Sequence, residues 1–192
     1  MTGALRIVAG SFGGRLIGCP ADVARPTTDR VREALASSVI SLLGGLEGVS
    51  VCDAFAGSGA LGLEMLSRGA RHVQFFDQGK GPLDCVRSNL ALVDAEDRGD
   101  VLRRDVLAQG VGGPFAPYGL LLLDPPYATA PDDVAELILR AGREGALVDD
   151  ALIVYERAAS SAGLPEVAGL CGIRQKRYGK TALDYLSWSR CA

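Results

Sequence analysis

Asp124-Pro125-Pro126-Tyr127 closes the apolar run Leu120 to Leu123 and lies downstream of a glycine turn, Asp53-Ala54-Phe55-Ala56-Gly57-Ser58-Gly59. At the end of a strand this tetrad offers two acceptors, the Asp124 carboxylate and the Pro125 carbonyl. The prolines stiffen the turn, and the Tyr127 ring supplies a flat face for a base. Two acceptors that hold both N–H bonds of an exocyclic amine turn its lone pair out of the base plane, toward an electrophilic methyl group. Rigid positioning of this kind lowers a barrier by ~7–11 kcal/mol in favourable cases. The predicted chemistry is methyl transfer to an amino group, with Asp124, Pro125, Pro126 and Tyr127 as the reacting site and no metal.

The glycine turn predicts the second half of the site. Gly57-Ser58-Gly59 lets the backbone approach a ligand without a Cβ in the way, and Asp77, twenty residues after Gly57, ends the next strand, where a carboxylate can accept from both ribose hydroxyls. Asp105, after a third strand, is placed to accept from an adenine amino group. Asp53, Asp77, Asp105 and Asp124 all fall at carboxyl ends of predicted strands, the rim where open α/β sheets bind ligands. The predicted cofactor residues are therefore Asp53, Gly57, Ser58, Gly59, Asp77 and Asp105. Gly57, Gly59 and Gly62 also satisfy Gly-x-Gly-x-x-Gly, so the turn alone leaves a nicotinamide or flavin dinucleotide open.

These residues need a frame. From Val49 onward strand-like and helix-like segments alternate, with strands at Val49–Asp53, His72–Asp77, Asp100–Arg104, Leu120–Asp124 and Ala151–Tyr155 and helices near Leu61–Ser67, Leu83–Val93 and Asp132–Ala141. That is the pattern of a mostly parallel sheet with helices on its faces. Cys171–Tyr178 and Leu183–Ser189 flank Gly179-Lys180-Thr181 as an antiparallel edge hairpin. Arg6–Gly10 and Gly14–Ile17 form an opening β-hairpin that projects as an appendage, and a helix runs from Val31 to a stop at Gly44-Gly45. The expected domains are residues 1–24, a hairpin extension, and residues 25–192, the catalytic domain.

Apolar residues at 48% and charged residues at 22% belong to a globular chain, and no apolar stretch reaches membrane-span length. A cytoplasmic monomer is expected. Five widely spaced cysteines without a Cys-x-x-Cys pair read as reduced structural thiols. His72, the one histidine, starts a strand and reads as packing. Net charge is −3, unevenly spread: five arginines up to Glu33 face three acids, and five basic residues from Cys171 onward face Asp184 alone, so basic ends flank an acidic body. Such ends are expected either to gather into a phosphate-binding surface at one rim or to be solvated charge near the chain ends.

The glycine turn through Gly62 and the Asp124–Tyr127 tetrad resemble the RsmD family of bacterial ribosomal RNA methyltransferases. So do Arg6-Ile7-Val8-Ala9-Gly10 with Gly14-Arg15, Arg25-Pro26-Thr27-Thr28-Asp29-Arg30-Val31-Arg32-Glu33, and Tyr178-Gly179-Lys180-Thr181. The resemblance spans nearly the whole chain. It implies a Rossmann-like class I fold with a seven-stranded sheet, S-adenosylmethionine as cofactor, and transfer to the N2 amine of one guanine in small-subunit (16S) rRNA, in the assembled or partly assembled 30S subunit. By position, Asp124 and Tyr127 would hold the flipped guanine, and Arg6, Arg15, Arg25, Arg30, Arg32, Lys176, Arg177 and Lys180 would contact RNA. Gln78-Gly79-Lys80-Gly81-Pro82 departs from the charged helix start expected there. A DNA adenine-N6 methyltransferase shares the two central motifs, a dinucleotide-binding oxidoreductase shares the glycine turn, and an RNA-binding assembly factor would share the basic ends.

Overall fold

The structure, a computed structural model, describes residues 3–20 and 28–189. Seven strands form one sheet: β3 (Ser50–Asp53), β4 (His72–Asp77), β5 (Gly99–Arg103), β6 (Tyr118–Leu123), β7 (Leu147–Ala158), β8 (Leu170–Tyr178) and β9 (Thr181–Trp188), ordered β5-β4-β3-β6-β7-β9-β8. All run parallel except β9, which is antiparallel to β7 and β8. The expected parallel sheet with an antiparallel edge hairpin is therefore present.

Period-two alternation divides the core. Val51, Leu120, Leu122 and Val154 project to the face covered by α1 (Asp29–Leu43), α2 (Ala60–Ser67) and α3 (Lys80–Leu92). Cys52, Leu121, Leu123 and Ile153 project to the face covered by α4 (Val106–Gln109) and α5 (Pro131–Arg143). Helices on both faces explain why β6 reads as continuous apolar sequence. α5 carries Pro131, Asp132 and Asp133 in its first turn and Arg140 and Arg143 in its last, the order that complements its dipole. Arg140 also donates to the carbonyls of Val106 (2.6 Å), Leu107 (2.9 Å) and Ala108 (3.0 Å), tying down α4, a helix too short to hold itself. α1 ends where Gly44 takes the left-handed conformation, as its sequence predicts. A Cβ at Gly62 would overlap the Phe75 ring, so glycine there lets α2 lie close on β4.

The opening hairpin does not project. β1 (Gly3–Arg6) and β2 (Leu16–Cys19) pair antiparallel, and the segment between them is fastened to the helices beneath. The buried Glu64 carboxylate accepts from Val8 N–H (2.8 Å) and Ala9 N–H (3.2 Å), and Ser67 accepts from Ser11 and Phe12 N–H. Asn89 on α3 both donates to and accepts from Gly18. Val8 and Ala9, expected in the first strand, leave the ladder because a buried carboxylate takes their donors. His72 starts β4, buried and stacked on Phe115 with ring centroids 3.5 Å apart, far from the strand ends that carry the carboxylates.

Glu64 also pairs with Arg68 at 2.8 Å, so removing its carboxylate strips two part-buried N–H groups of their acceptor and leaves Arg68 with Glu33 as its remaining carboxylate. Glu64→Ala is expected to cost about 3 kcal/mol of stability. Chemical denaturation measures this, and an unchanged midpoint would refute the role of Glu64 as the hairpin anchor.

Candidate active site

Strand order reverses at β3, which lies between β4 and β6, and the crevice outside such a reversal is where open α/β sheets bind ligands. A cleft of about 480 Å³ opens there. Its floor is the glycine turn Ala54 to Ser58, its sides include Asp77, Pro82, Val106 and Leu107, and Asp124 to Tyr127 close one end. A wider cleft of about 1020 Å³ adjoins it, walled by the end of β7, residues 159–162 and the Gly179-Lys180 turn between β8 and β9. Pro125, Pro126, Tyr127, Thr129 and Glu156 line both. The tetrad thus stands where the two clefts meet. A bond from Thr129 N–H to the Pro126 carbonyl at 2.9 Å closes the turn, and Tyr127, 64% exposed, presents its ring at the shared mouth.

Asp77 governs the cofactor-sized cleft. Its Oδ2 accepts from Gly57 N–H at 3.0 Å and its Oδ1 from Gly79 N–H at 2.8 Å, so one carboxylate pins both the glycine turn and the start of α3. Each oxygen keeps a second lone pair for a ligand hydroxyl. Gly57 and Gly59 have φ of 55° and 79°, which the turn demands and side chains resist. Ser58 is buried, and its carbonyl accepts from Asn89 at 2.9 Å. The unusual segment Gln78 to Pro82 still begins α3 at Lys80, with Pro82 in the first turn, where its missing N–H costs nothing.

Two expected cofactor residues are engaged elsewhere. Asp53 is 1% exposed, lies behind the cleft rather than in its wall, and accepts from Gly62 N–H at 3.0 Å. Burial pushes its carboxyl up to about 7, opposed by the Gly62 hydrogen bond and reinforced by Asp77. Asp105 caps α4 through Leu107 N–H (3.1 Å) and Ala108 N–H (3.4 Å), and the residues it positions, Val106 and Leu107, form the cleft wall instead. Among the described residues no cluster of His, Cys, Asp or Glu could hold a metal ion.

Residues 5–187 match the family described as Conserved hypothetical protein 95. Ribosomal RNA small subunit methyltransferase D of Escherichia coli is 32% identical over 183 residues, covering 94% of this chain and 88% of that protein. The chain belongs to the RsmD family. Among solved structures, the Escherichia coli protein yhhF, provisionally named a methyltransferase, superposes with a TM-score of 0.80 at 28% identity, over 98% of this chain and 100% of that one. A provisionally named methylase of Haemophilus influenzae, HI0767, gives 0.76 at 26% identity, over 98% of this chain and 100% of that one.

Within this RsmD-family fold the expected RNA-contacting cations separate. Arg177 and Lys180 are exposed beside the wide cleft's edge hairpin, with Lys180 in the cleft wall, and Lys176 reaches back to Ser38 Oγ at 2.9 Å. Arg6 and Arg30 are exposed, and Arg25 lies outside the described residues. Arg15 bonds the Leu92 carbonyl and Asp94 at the far end of α3, about 15 Å along the helix from Pro82 in the cleft wall. Arg32 departs furthest from expectation. It is 1% exposed, donates to the Arg6 carbonyl and Asp29 at 2.6 Å each, and lines the smaller cleft, so it supports the hairpin rather than offering an open phosphate grip. The sequence reading missed Glu156, Arg104 and Leu5 in the cleft wall. Glu156, a charged residue directly after the apolar run Leu152 to Tyr155, was the available signal.

A carboxyl whose folded value is raised contributes stability that is full at low pH and is lost as pH rises through about 7. Asp53→Asn is expected to lessen the fall in stability between pH 5 and pH 8 by a few kcal/mol. Urea midpoints of both proteins at the two pH values test this; parallel pH profiles would contradict it.

Proposed function

We propose that this chain transfers a methyl group from S-adenosylmethionine to the N2 amine of a guanine in small-subunit (16S) rRNA, presented by the assembled or partly assembled 30S particle in the cytoplasm. The observation that carries this reading is the junction of a nucleoside-sized cleft with a wide, open one at Asp124-Pro125-Pro126-Tyr127. The names of its relatives support the rRNA substrate.

The smaller cleft fits the cofactor: glycine backbone on one side, the Asp77 carboxylate for ribose hydroxyls, and apolar Pro82, Val106 and Leu107 for a purine. Bound there, S-adenosylmethionine supplies an electrophilic methyl carbon on a sulfonium. The chain's own groups do the rest. Asp124 and the Pro125 carbonyl accept the two N–H bonds of the target amine and aim its lone pair across the junction. As the amine nitrogen would take the methyl group, the methyl–sulfur bond would break and leave a neutral thioether; the nitrogen, then cationic, would lose its excess proton to Asp124, the acceptor facing it. Tyr127 stacks on the extruded base, offsetting the few kcal/mol lost on unstacking. Arg177 and Lys180 hold phosphate at the outer wall.

Asp124→Ala is expected to lower methyl transfer about 10³-fold while leaving S-adenosylmethionine binding within a few fold. Incubating the protein with labelled S-adenosylmethionine and naked rRNA, small subunits or DNA, then mapping the modified base, tests the function itself. Label on adenine in DNA would replace this reading with the DNA methylase, and label nowhere, with a nicotinamide cofactor bound, with the oxidoreductase. Replacing Arg177 and Lys180 together by Ala should reduce the slope of log affinity against log salt by about 1.5, in line with two lost phosphate contacts. An unchanged slope would remove the edge hairpin from the RNA surface.

A further inference from the structure

The opening hairpin reaches the smaller cleft. Leu5 is the one residue of β1 that is not exposed; it packs against the core and lines that cleft together with Ala56, Gly57 and Ser58. On the other strand of the hairpin Leu16, 56% exposed, lines neither of the two clefts. A single buried side chain joins this hairpin to the glycine turn. Asn89 on α3, 1% exposed, accepts from Gly18 N–H at 2.7 Å through Oδ1, and its Nδ2 donates to the Gly18 and Ser58 carbonyls at 2.9 Å each. Gly59 N–H donates to the Ala56 carbonyl at 2.7 Å, so both ends of the Ser58–Gly59 peptide are held. The other buried residues of α3 are Leu83, Val86 and Leu90, and an apolar side chain in place of Asn89 would carry no polar cost. A buried amide is tolerated there because its polar atoms are bonded, and what those bonds join is the hairpin and the turn.

Resting on the cofactor cleft of the function proposed above, we propose that the opening hairpin is a wall of that cleft, with Leu5 packed on bound S-adenosylmethionine and Asn89 as the positioning residue that ties hairpin to glycine turn. An apolar side chain against the ligand removes water from both, which favours the bound state in proportion to the area covered. The wall is preformed, because Glu64, Ser67 and Asn89 already hold the hairpin's backbone, so cofactor binding need not order it. Asn89 does not line the cleft; it acts through the Ser58 carbonyl on one side and Gly18 on the other. Its loss therefore falls on cofactor affinity rather than on the methyl-transfer step. Arg6, next to Leu5, is exposed, so one short strand turns an apolar residue to the cleft and a cation to solvent.

Calorimetric titration of the full-length protein with S-adenosylmethionine, joined to initial rates on small subunits, tests both parts. Leu5→Ala is expected to weaken cofactor binding about 5- to 10-fold through lost apolar contact, whereas Leu16→Ala in the same hairpin should change it by less than about twofold. Asn89→Asp keeps the side-chain size and the acceptor for Gly18 N–H but sets an oxygen against two carbonyls. It should raise Kd and KM for S-adenosylmethionine about tenfold and leave kcat at saturating cofactor within about twofold of wild type. A merely structural defect would instead lower kcat with the folded fraction and leave KM unmoved, and melting temperatures measured alongside report that fraction. A Leu5→Ala affinity equal to wild type, or equal losses in Leu5→Ala and Leu16→Ala, overturns the wall. Asn89→Asp lowering kcat or melting temperature without moving Kd overturns the tie. Because the titration needs no RNA, a methylated base other than guanine revises the function proposed above without altering this result. A wild-type protein that does not bind S-adenosylmethionine overturns the cofactor reading, and this inference with it.

Discussion

Parallel pairing of β3 with β4 on one side and β6 on the other brings three strand ends to one edge, and the glycine turn, Asp77 and the Asp124 turn hang from that edge. The ladder register Cys52 with Leu121 and Asp53 with Leu122 fixes how far the glycine turn and the Asp124 turn overhang the sheet. Because both faces are covered by helices, the ladder cannot slip without driving apolar side chains to the wrong layer. The turns at its end are therefore held by the whole core rather than by their own few hydrogen bonds.

Charges inside that frame are each assigned a partner. Asp77 secures two turns, Asp53 receives Gly62, Glu64 receives the opening segment, and Asp184 is bound by Arg157 at 2.6 Å and Gln175 at 2.8 Å. Buried carboxylates are expensive, and donors of this kind are what make them tolerable. The residues that hold the chain around the clefts are thus as acidic as those proposed to act in them. Counting carboxylates on the rim cannot by itself separate the two groups.

Electrostatics are divided by position rather than by amount. Arg32, Arg104 and Arg140 spend their donors on carbonyls near the cleft, where they lock loops and helix ends. Arg177 and Lys180 stay in solvent at the edge hairpin, the surface proposed to meet RNA. With S-adenosylmethionine proposed behind the tetrad and RNA in front of it, the two ligands would meet at Tyr127, which lines both clefts.

The alternation of strands and helices, the glycine turn, the tetrad and the antiparallel edge were legible in the chain because each is a local signal: a hydrophobic period, a backbone needing no Cβ, a proline stop. Asp77 was placed correctly at its strand end because the length of one βα unit sets its distance from Gly57. The sequence by itself determined that a glycine turn and a proline tetrad each end a strand. Only the tertiary structure decided that the opening hairpin docks on Glu64, that Arg32 is buried while Lys180 is not, that Asp53 and Asp105 face backbone, and that Glu156 lines both clefts. Those outcomes depend on which distant segments share a ladder or a helix face, and residues far apart in the chain carry no local period that records it.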